Sequence, residues 1–152
     1  MPIPIGKEYM DAVGGLGKIA NYQSVEVNTT ACGEEEVGFG KAIYAEEDIA
    51  QVLEASKNFF GVALARNYVP EITAGEKVGT YKQGDAVPAL RKGTIWVLVD
   101  EDVKSGNKAV ANTATGNFLP SSTSETTKTD VIGTFLSTAM ADGLAMLQIN
   151  LP

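Results

Sequence analysis

The chain has 152 residues, enough for one domain with its own core and too few for two of ordinary size. Hydrophobic residues make up 44% and charged residues 20%, the balance of a folded chain rather than a disordered one. The net charge is −7, and no basic cluster exceeds the pair Arg91–Lys92, which argues against direct nucleic-acid binding and for an acidic, solvated surface.

The first 23 residues, "MPIPIGKEYMDAVGGLGKIANYQ", hold no sustained period. Pro2 and Pro4 stiffen the start, and the glycines at 6, 14, 15 and 17 loosen the remainder. Yet the segment carries Ile3, Ile5, Tyr9, Met10, Leu16, Ile19 and Tyr22, apolar surface that must pack on its own domain or on a partner. Residues 1–23 are therefore expected to form an extended arm, and residues 24–152 a single β-rich domain.

From residue 24 the period becomes that of strands. "SVEVN" alternates Val25 and Val27 with Glu26, and "VGFGKAIYA" (37–45) and "NFFGVALA" (58–65) follow as glycine-bearing strands. Between them, "EEDIAQVLEAS" fits a short helical turn or another strand. In "KQGDAVPALRKGTIWVLV", Gly84–Asp85 and Gly93 read as turns, and "TIWVLV" as a strand of branched and aromatic residues. Pro88 implies an edge strand or a bulge.

Over residues 112–129 no apolar period survives, and seven of residues 121–129 are Ser or Thr, which predicts a long, mobile surface loop. "AMADG" reads as a turn before a last strand with Leu147, Ile149 and Leu151 on one face. Short strands at this spacing predict an all-β fold, a small barrel or sandwich with at most one or two short helices.

The chain offers little for catalysis. It has no histidine, which removes Ser-His-Asp and Cys-His chemistry and His-ligated zinc, and its one cysteine, Cys32, can form neither an intramolecular disulfide nor a structural zinc site. The absence of disulfides fits a reducing compartment, and the longest apolar runs fall short of the ~18 residues of a membrane span. "AVGGLGKIANYQ" (12–23) suggests a phosphate loop, but Ala12 replaces the first required glycine and Ile19 the hydroxyl residue; Gly40–Lys41 fails in the same way at Glu35 and Ala42. Of the carboxylate runs at 34–36, 46–48 and 100–102, "DEDVKSGN" does not match the EF-hand spacing, the chain has too few aromatics for the cleft of a glycosidase, and the runs read as solvated turns. Lys104, between Val103 and Ser105, lacks the flanks of a biotinyl or lipoyl lysine and reads as a turn residue. No cofactor or metal is expected.

The segments "FFGVALARNYVPEITAGEKVGTYKQGDAVPALRKGTIWVLVDEDVKSGNKAV", "TGNF" and "VIGTFLSTAMADGLAMLQINLP" resemble the capsid cement, or head decoration, proteins of tailed bacteriophages. The resemblance covers residues 37–152. It rests on a "GD-x-V-x-x-L-x-x-G-x-I/V-x-V" core, a "V-x-x-G" turn, an "IG-x-F/L" strand and a terminal strand ending in "NLP". It implies a non-enzymatic virion protein on the outer capsid surface that bridges neighbouring major capsid proteins against the pressure of packed DNA and self-associates as a trimer or dimer. On that reading the arm residues Ile3, Ile5, Tyr9, Met10, Leu16, Ile19 and Tyr22 are the candidate contacts to capsid or to a neighbouring subunit. A tail or head-fibre component touching the host, and a half-barrel carrier or ligand-binding domain, are the alternatives.

Overall fold

The structure is a computed structural model and describes residues 16–20, 24–65 and 80–151. The described residues form eleven strands and no helix: β1 (Glu26–Cys32), β2 (Val37–Gly38), β3 (Ala42–Glu46), β4 (Ile49–Val52), β5 (Gly61–Ala63), β6 (Thr80–Tyr81), β7 (Ala86–Leu98), β8 (Lys108–Ala111), β9 (Phe118–Pro120), β10 (Gly133–Phe135) and β11 (Leu144–Asn150). Nine of them make one sheet in the order β1-β4-β3-β5-β7-β11-β10-β8-β9, and β2 and β6 make a separate antiparallel pair. The all-β reading of the sequence holds, in a sandwich-like form.

β7 organises the sheet. Its first half pairs with β1, from Ala31↔Ala86 to Glu26↔Lys92, and its second half with β11, from Asn150↔Lys92 to Leu144↔Leu98. The handover falls at Gly93, at φ +133°, where a Cβ would stand 2.8 Å from Val25 Cγ1. The register of β1 slips by one residue beside it, between Glu26 and Val27. Such an irregularity flips the side-chain alternation: Val87 and Ala89 face one core, whereas Ile95 and Val97 face the other. Gly93 is therefore no turn, as its sequence suggests, but the point at which one long strand changes partners. Pro88, too, lies inside this central strand opposite Thr29 rather than on an edge, just beyond the β5 pairing at residues 89 and 90.

Two cores result. The smaller takes Cys32 of β1, Ile43 of β3, Ala50 of β4, Ala63 of β5, and Val87 and Ala89 of β7, five strands of the main sheet, and is completed by Val37 of β2 and Tyr81 of β6. The pairings of these five return on themselves, because β1 touches both β4 and β7. The sheet as a whole does not close, since β11, β10, β8 and β9 continue outward over the larger core of Leu90, Ile95, Val97, Phe118, Phe135, Leu147 and Ile149. β3 and β5 lie between the cores, with Ala42 and Val62 in one and Ile43 and Ala63 in the other. Burial on both faces explains why "GVALA" shows no polar alternation.

The acidic segment after β3 is a hairpin rather than a helical turn. Glu46 pairs with Ile49 across two residues, Glu47 at φ 51° and Asp48 at φ 63°, the double positive φ of a type I′ turn.

The expected surface loop at 112–129 is corrected in its middle, where residues 116–120 are buried, whereas residues 121–129 form none of the eleven strands and are mostly exposed. Phe118, Leu119 and Pro120 form β9 against β8 and are buried. The surrounding polar side chains satisfy one another: Asn112 Oδ1 accepts from Thr127 Oγ1 at 2.9 Å, and Thr123 Oγ1 donates to Glu101. Asn112, Asn117 and Thr123 are at most 7% exposed, so a stretch without apolar period still folds, because its polar groups find partners.

Candidate functional site

Of the seven candidate contact residues, Ile3, Ile5, Tyr9, Met10 and Tyr22 lie outside the described residues, while Leu16 and Ile19 lie within them. The segment 16–20 runs along the second half of β7. Gly17 N–H donates to Trp96 O at 2.8 Å, Trp96 N–H to Lys18 O at 3.0 Å, and Ala20 N–H to Thr94 O at 2.8 Å. Leu16 is half-buried against Gly40, where a Cβ would meet its Cδ1 at 2.6 Å. Gly17, at φ +80°, is fixed in the same packing, since its own Cβ would stand 2.9 Å from Gly40 N. The glycines of "GGLGK" thus include one that permits close backbone packing, and its amide is spent on a strand neighbour rather than on a phosphate.

Ile19 bridges Ile95 yet remains 45% exposed. Val25, just before β1, and Val27, within it, each 39% exposed, add apolar surface near the middle of β7. Lys18 and Lys92 line the adjoining hollows, one of about 280 Å³ bounded by Gly17, Ile19 and Leu64, the other of about 190 Å³ bounded by Ser24, Gly93 and Ile149. The middle of β7 is therefore flanked by apolar side chains with lysines beside them.

The opposite character appears at the far end of β1. Residues 24–57 carry eight of the acidic side chains and only Lys41 and Lys57 of the basic ones. The runs at 34–36 and 46–48 are exposed and lie near each other, because Gly33 N–H donates to Ala50 O and Ala31 N–H to Asp48 O. The third run, 100–102, is not a solvated turn. Asp100 accepts from Asn112, Thr115 and Asn117, Glu101 from Thr123, and Asp102 Oδ1 from Ala141 N–H at 2.7 Å.

Among the described residues no group of three His, Cys, Asp or Glu is placed to hold a metal ion. Cys32 is buried, with Sγ donating to Glu35 O at 3.3 Å and Tyr81 O at 3.5 Å. Lys104 opens the exposed turn before β8, its N–H donating to Asn107 Oδ1 at 2.8 Å. A hollow of about 590 Å³ lies between residues 55–59 and 126–132. Its two lysines are engaged, Lys57 by Glu46 at 2.9 Å and Lys128 by the carbonyls of Ser121 and Thr123.

Comparison with known proteins agrees with the architecture. Residues 6–150 match the family model of the structural cement protein (E217 gp24/Pam3 gp6). The fold is shared with a chain in the capsid of Myoviridae phage XM1, at a TM-score of 0.72 and 15% identity over 97% of this chain and 98% of that one. The N base of the head fibre gp8.5 of bacteriophage phi29 shows a looser likeness, with a TM-score of 0.47 and 18% identity over 84% of this chain and 95% of that one. No curated protein matches the chain in sequence. With nearly its whole length matched, the chain belongs to the phage structural cement protein family, and its role is that of a structural component of the virion.

Proposed function

We propose that this protein binds the outer surface of the phage head, bridges neighbouring major capsid proteins and stiffens the shell against internal pressure, without catalysing a reaction on any substrate. The membership of residues 6–150 in the cement family carries this reading, and the likeness to a chain of a phage capsid accords with it. The apolar surface along β7, Ile19 with Val25 and Val27, is the described part of the contact. Ile3, Ile5, Tyr9, Met10 and Tyr22, with Leu16 and Ile19, extend it through the arm to the capsid or to a neighbouring copy in a trimer or dimer. Burying a large aliphatic side chain contributes roughly 1.5–3 kcal/mol before ordering costs. Several such anchors repeated around a shell hold it firmly. The acidic end formed by residues 34–36 and 46–48 faces solvent and keeps virions dispersed.

The test is binding to expanded, undecorated heads by co-sedimentation, with wild type, an Ile19→Asp variant and a chain lacking residues 1–15. The truncation spares the backbone bonds of residues 17–20 to β7. Saturable binding by the wild type, weakened at least tenfold in both variants, supports the proposal. Equal binding by all three would remove the arm and β7 from the contact.

A further inference from the structure

Three segments far apart in sequence meet beside β3. Lys41 precedes β3, Asp100 comes after β7, and Asn117 precedes β9. Lys41 Nζ stands 2.6 Å from Asn117 Oδ1 and 3.2 Å from Thr115 O. On the far side of the same amide, Asn117 Nδ2 stands 2.9 Å from Asp100 Oδ1. The other carboxylate oxygen of Asp100 is held by Asn112 Nδ2 at 3.0 Å and Thr115 Oγ1 at 2.7 Å. An amine, a carboxamide and a carboxylate are thus lined up in order, with Asn117 only 7% exposed.

We propose that Lys41 and Asn117 become joined by an isopeptide bond, which the folded chain forms by itself with Asp100 as the proton carrier. This inference stands on the geometry of the cluster and is independent of where the protein sits on the virion.

The chemistry needs no co-reactant. The Lys41 ammonium first yields one proton to the Asp100 carboxylate, leaving a neutral amine and a neutral acid. Lys41 Nζ, as the neutral amine, attacks Cγ of Asn117, and the carbonyl electron pair moves onto Oδ1. Asp100 delivers its proton to Nδ2, and the proton that Nζ sheds as the tetrahedral adduct collapses returns to Asp100. The Nζ–Cγ bond replaces the Cγ–Nδ2 bond, and Nδ2 leaves as ammonia. No atom is oxidised or reduced. The surroundings favour the attack: burial holds the Lys41 ammonium below its ordinary pKa of 10.5, against the opposing pull of Asp100. A well-oriented intramolecular pair gains greatly over the same groups free in water.

The lysine is also held in place along its length. Its stem passes over two glycines: a Cβ at Gly116 would stand 3.3 Å from Lys41 Cδ, and one at Gly38 3.3 Å from its Cγ. Gly116, at φ +77°, cannot carry a side chain without meeting Val52 Cγ1 at 2.5 Å. The bond would tie positions 76 residues apart and fasten the β8–β9 edge of the sheet to β3. A covalent tie of that span suits a protein under sustained mechanical load.

The intact mass of the purified full-length chain decides the matter, together with proteolysis and tandem mass spectrometry. The expected result is a mass lower than the sequence mass by one ammonia, and a branched peptide containing both Lys41 and Asn117. The Asp100→Asn and Lys41→Arg variants are expected to show the full sequence mass. A wild-type chain at full mass, with Lys41 and Asn117 recovered in separate unmodified peptides, overturns the proposal. So does an ammonia loss mapped elsewhere, such as a succinimide at Asn117 that leaves Lys41 free. A branched peptide in the Asp100→Asn variant overturns the role given to Asp100.

Discussion

Gly116 offers a test of how the β8–β9 turn is seated. It adopts φ +77°, and an added Cβ would stand 2.5 Å from Val52 Cγ1 of β4 and 3.3 Å from Lys41 Cδ. Gly84 and Gly106 adopt similar angles, φ +87° and +94°, but a Cβ at either would meet nothing within 4 Å. Alanine at any of the three must enter the left-handed region, at a cost of about 1–2 kcal/mol. At Gly116 it must also displace Val52 or the turn, and overpacking of this kind costs about 1–3 kcal/mol more. Gly84→Ala and Gly106→Ala should therefore lower stability by about 1–2 kcal/mol, and Gly116→Ala by about 2–5 kcal/mol. At this chain length each kcal/mol moves the melting temperature by roughly 2–4 °C, so the two classes separate clearly. Urea unfolding monitored through Trp96 fluorescence gives the free energies, with an unchanged slope confirming that the native state is intact. Equal losses at all three glycines would refute the packing of the β8–β9 turn against β4.

Three other substitutions probe the core and its polar contacts. Tyr81 is fully buried and its hydroxyl donates to Leu64 O; Tyr81→Phe should cost about 1–2 kcal/mol in denaturant unfolding, and no loss would mean that the bond is not made. Phe118→Ala, at a fully buried position in β9, should cost about 3–5 kcal/mol, whereas Val131→Ala at a 56% exposed site should stay within about 0.5 kcal/mol; a small loss at Phe118 would return residues 112–129 to the status of a loose loop. The Lys57 pKa is raised, mainly by its hydrogen bond to Glu46. A raised folded-state pKa gives stability that is fully present below the unfolded value of 10.5 and disappears as the pH climbs through the folded value. The gap in urea midpoint between wild type and Lys57→Gln should accordingly be flat at neutral pH and close under strongly alkaline conditions, and a gap that widens there would contradict the pairing.

Much of the fold was legible wherever a strand buries one face only. "AMLQINL" alternates in the sequence as it does in β11, where Ala145, Leu147 and Ile149 are buried between half-buried or exposed neighbours. The reading failed where glycine or polar residues do something other than turn or face water. Gly93 looked like a turn because the sequence shows its conformational freedom but not the change of strand partners that uses it. The buried positions within residues 112–129, Asn112 and Thr123 among them, were hidden because hydrogen bonds to Thr127 and Glu101 secure them rather than an apolar period. The hairpin at Glu47–Asp48 was hidden because it places two acidic residues where Asn-Gly is the usual signal.

The site was less legible than the fold. The family was recognisable from the ordered motifs of residues 37–152, and the family match extends to residue 6. Ile19 was visible as an apolar residue without a helical or strand period. Its place beside Ile95 depends on backbone pairing with a strand more than 70 residues away, which no local pattern announces. The Lys41–Asn117–Asp100 cluster was equally invisible, because its members come from three separate segments and only the closed fold brings them together.

The most direct measurement of the central claim is the survival of expanded phage heads on heating, with and without saturating amounts of the purified protein. The account predicts that decorated heads stay intact to a higher temperature, with the gain rising in step with occupancy and disappearing for the Ile19→Asp variant. Heads that bind the protein stoichiometrically yet rupture at the same temperature as bare ones would contradict it.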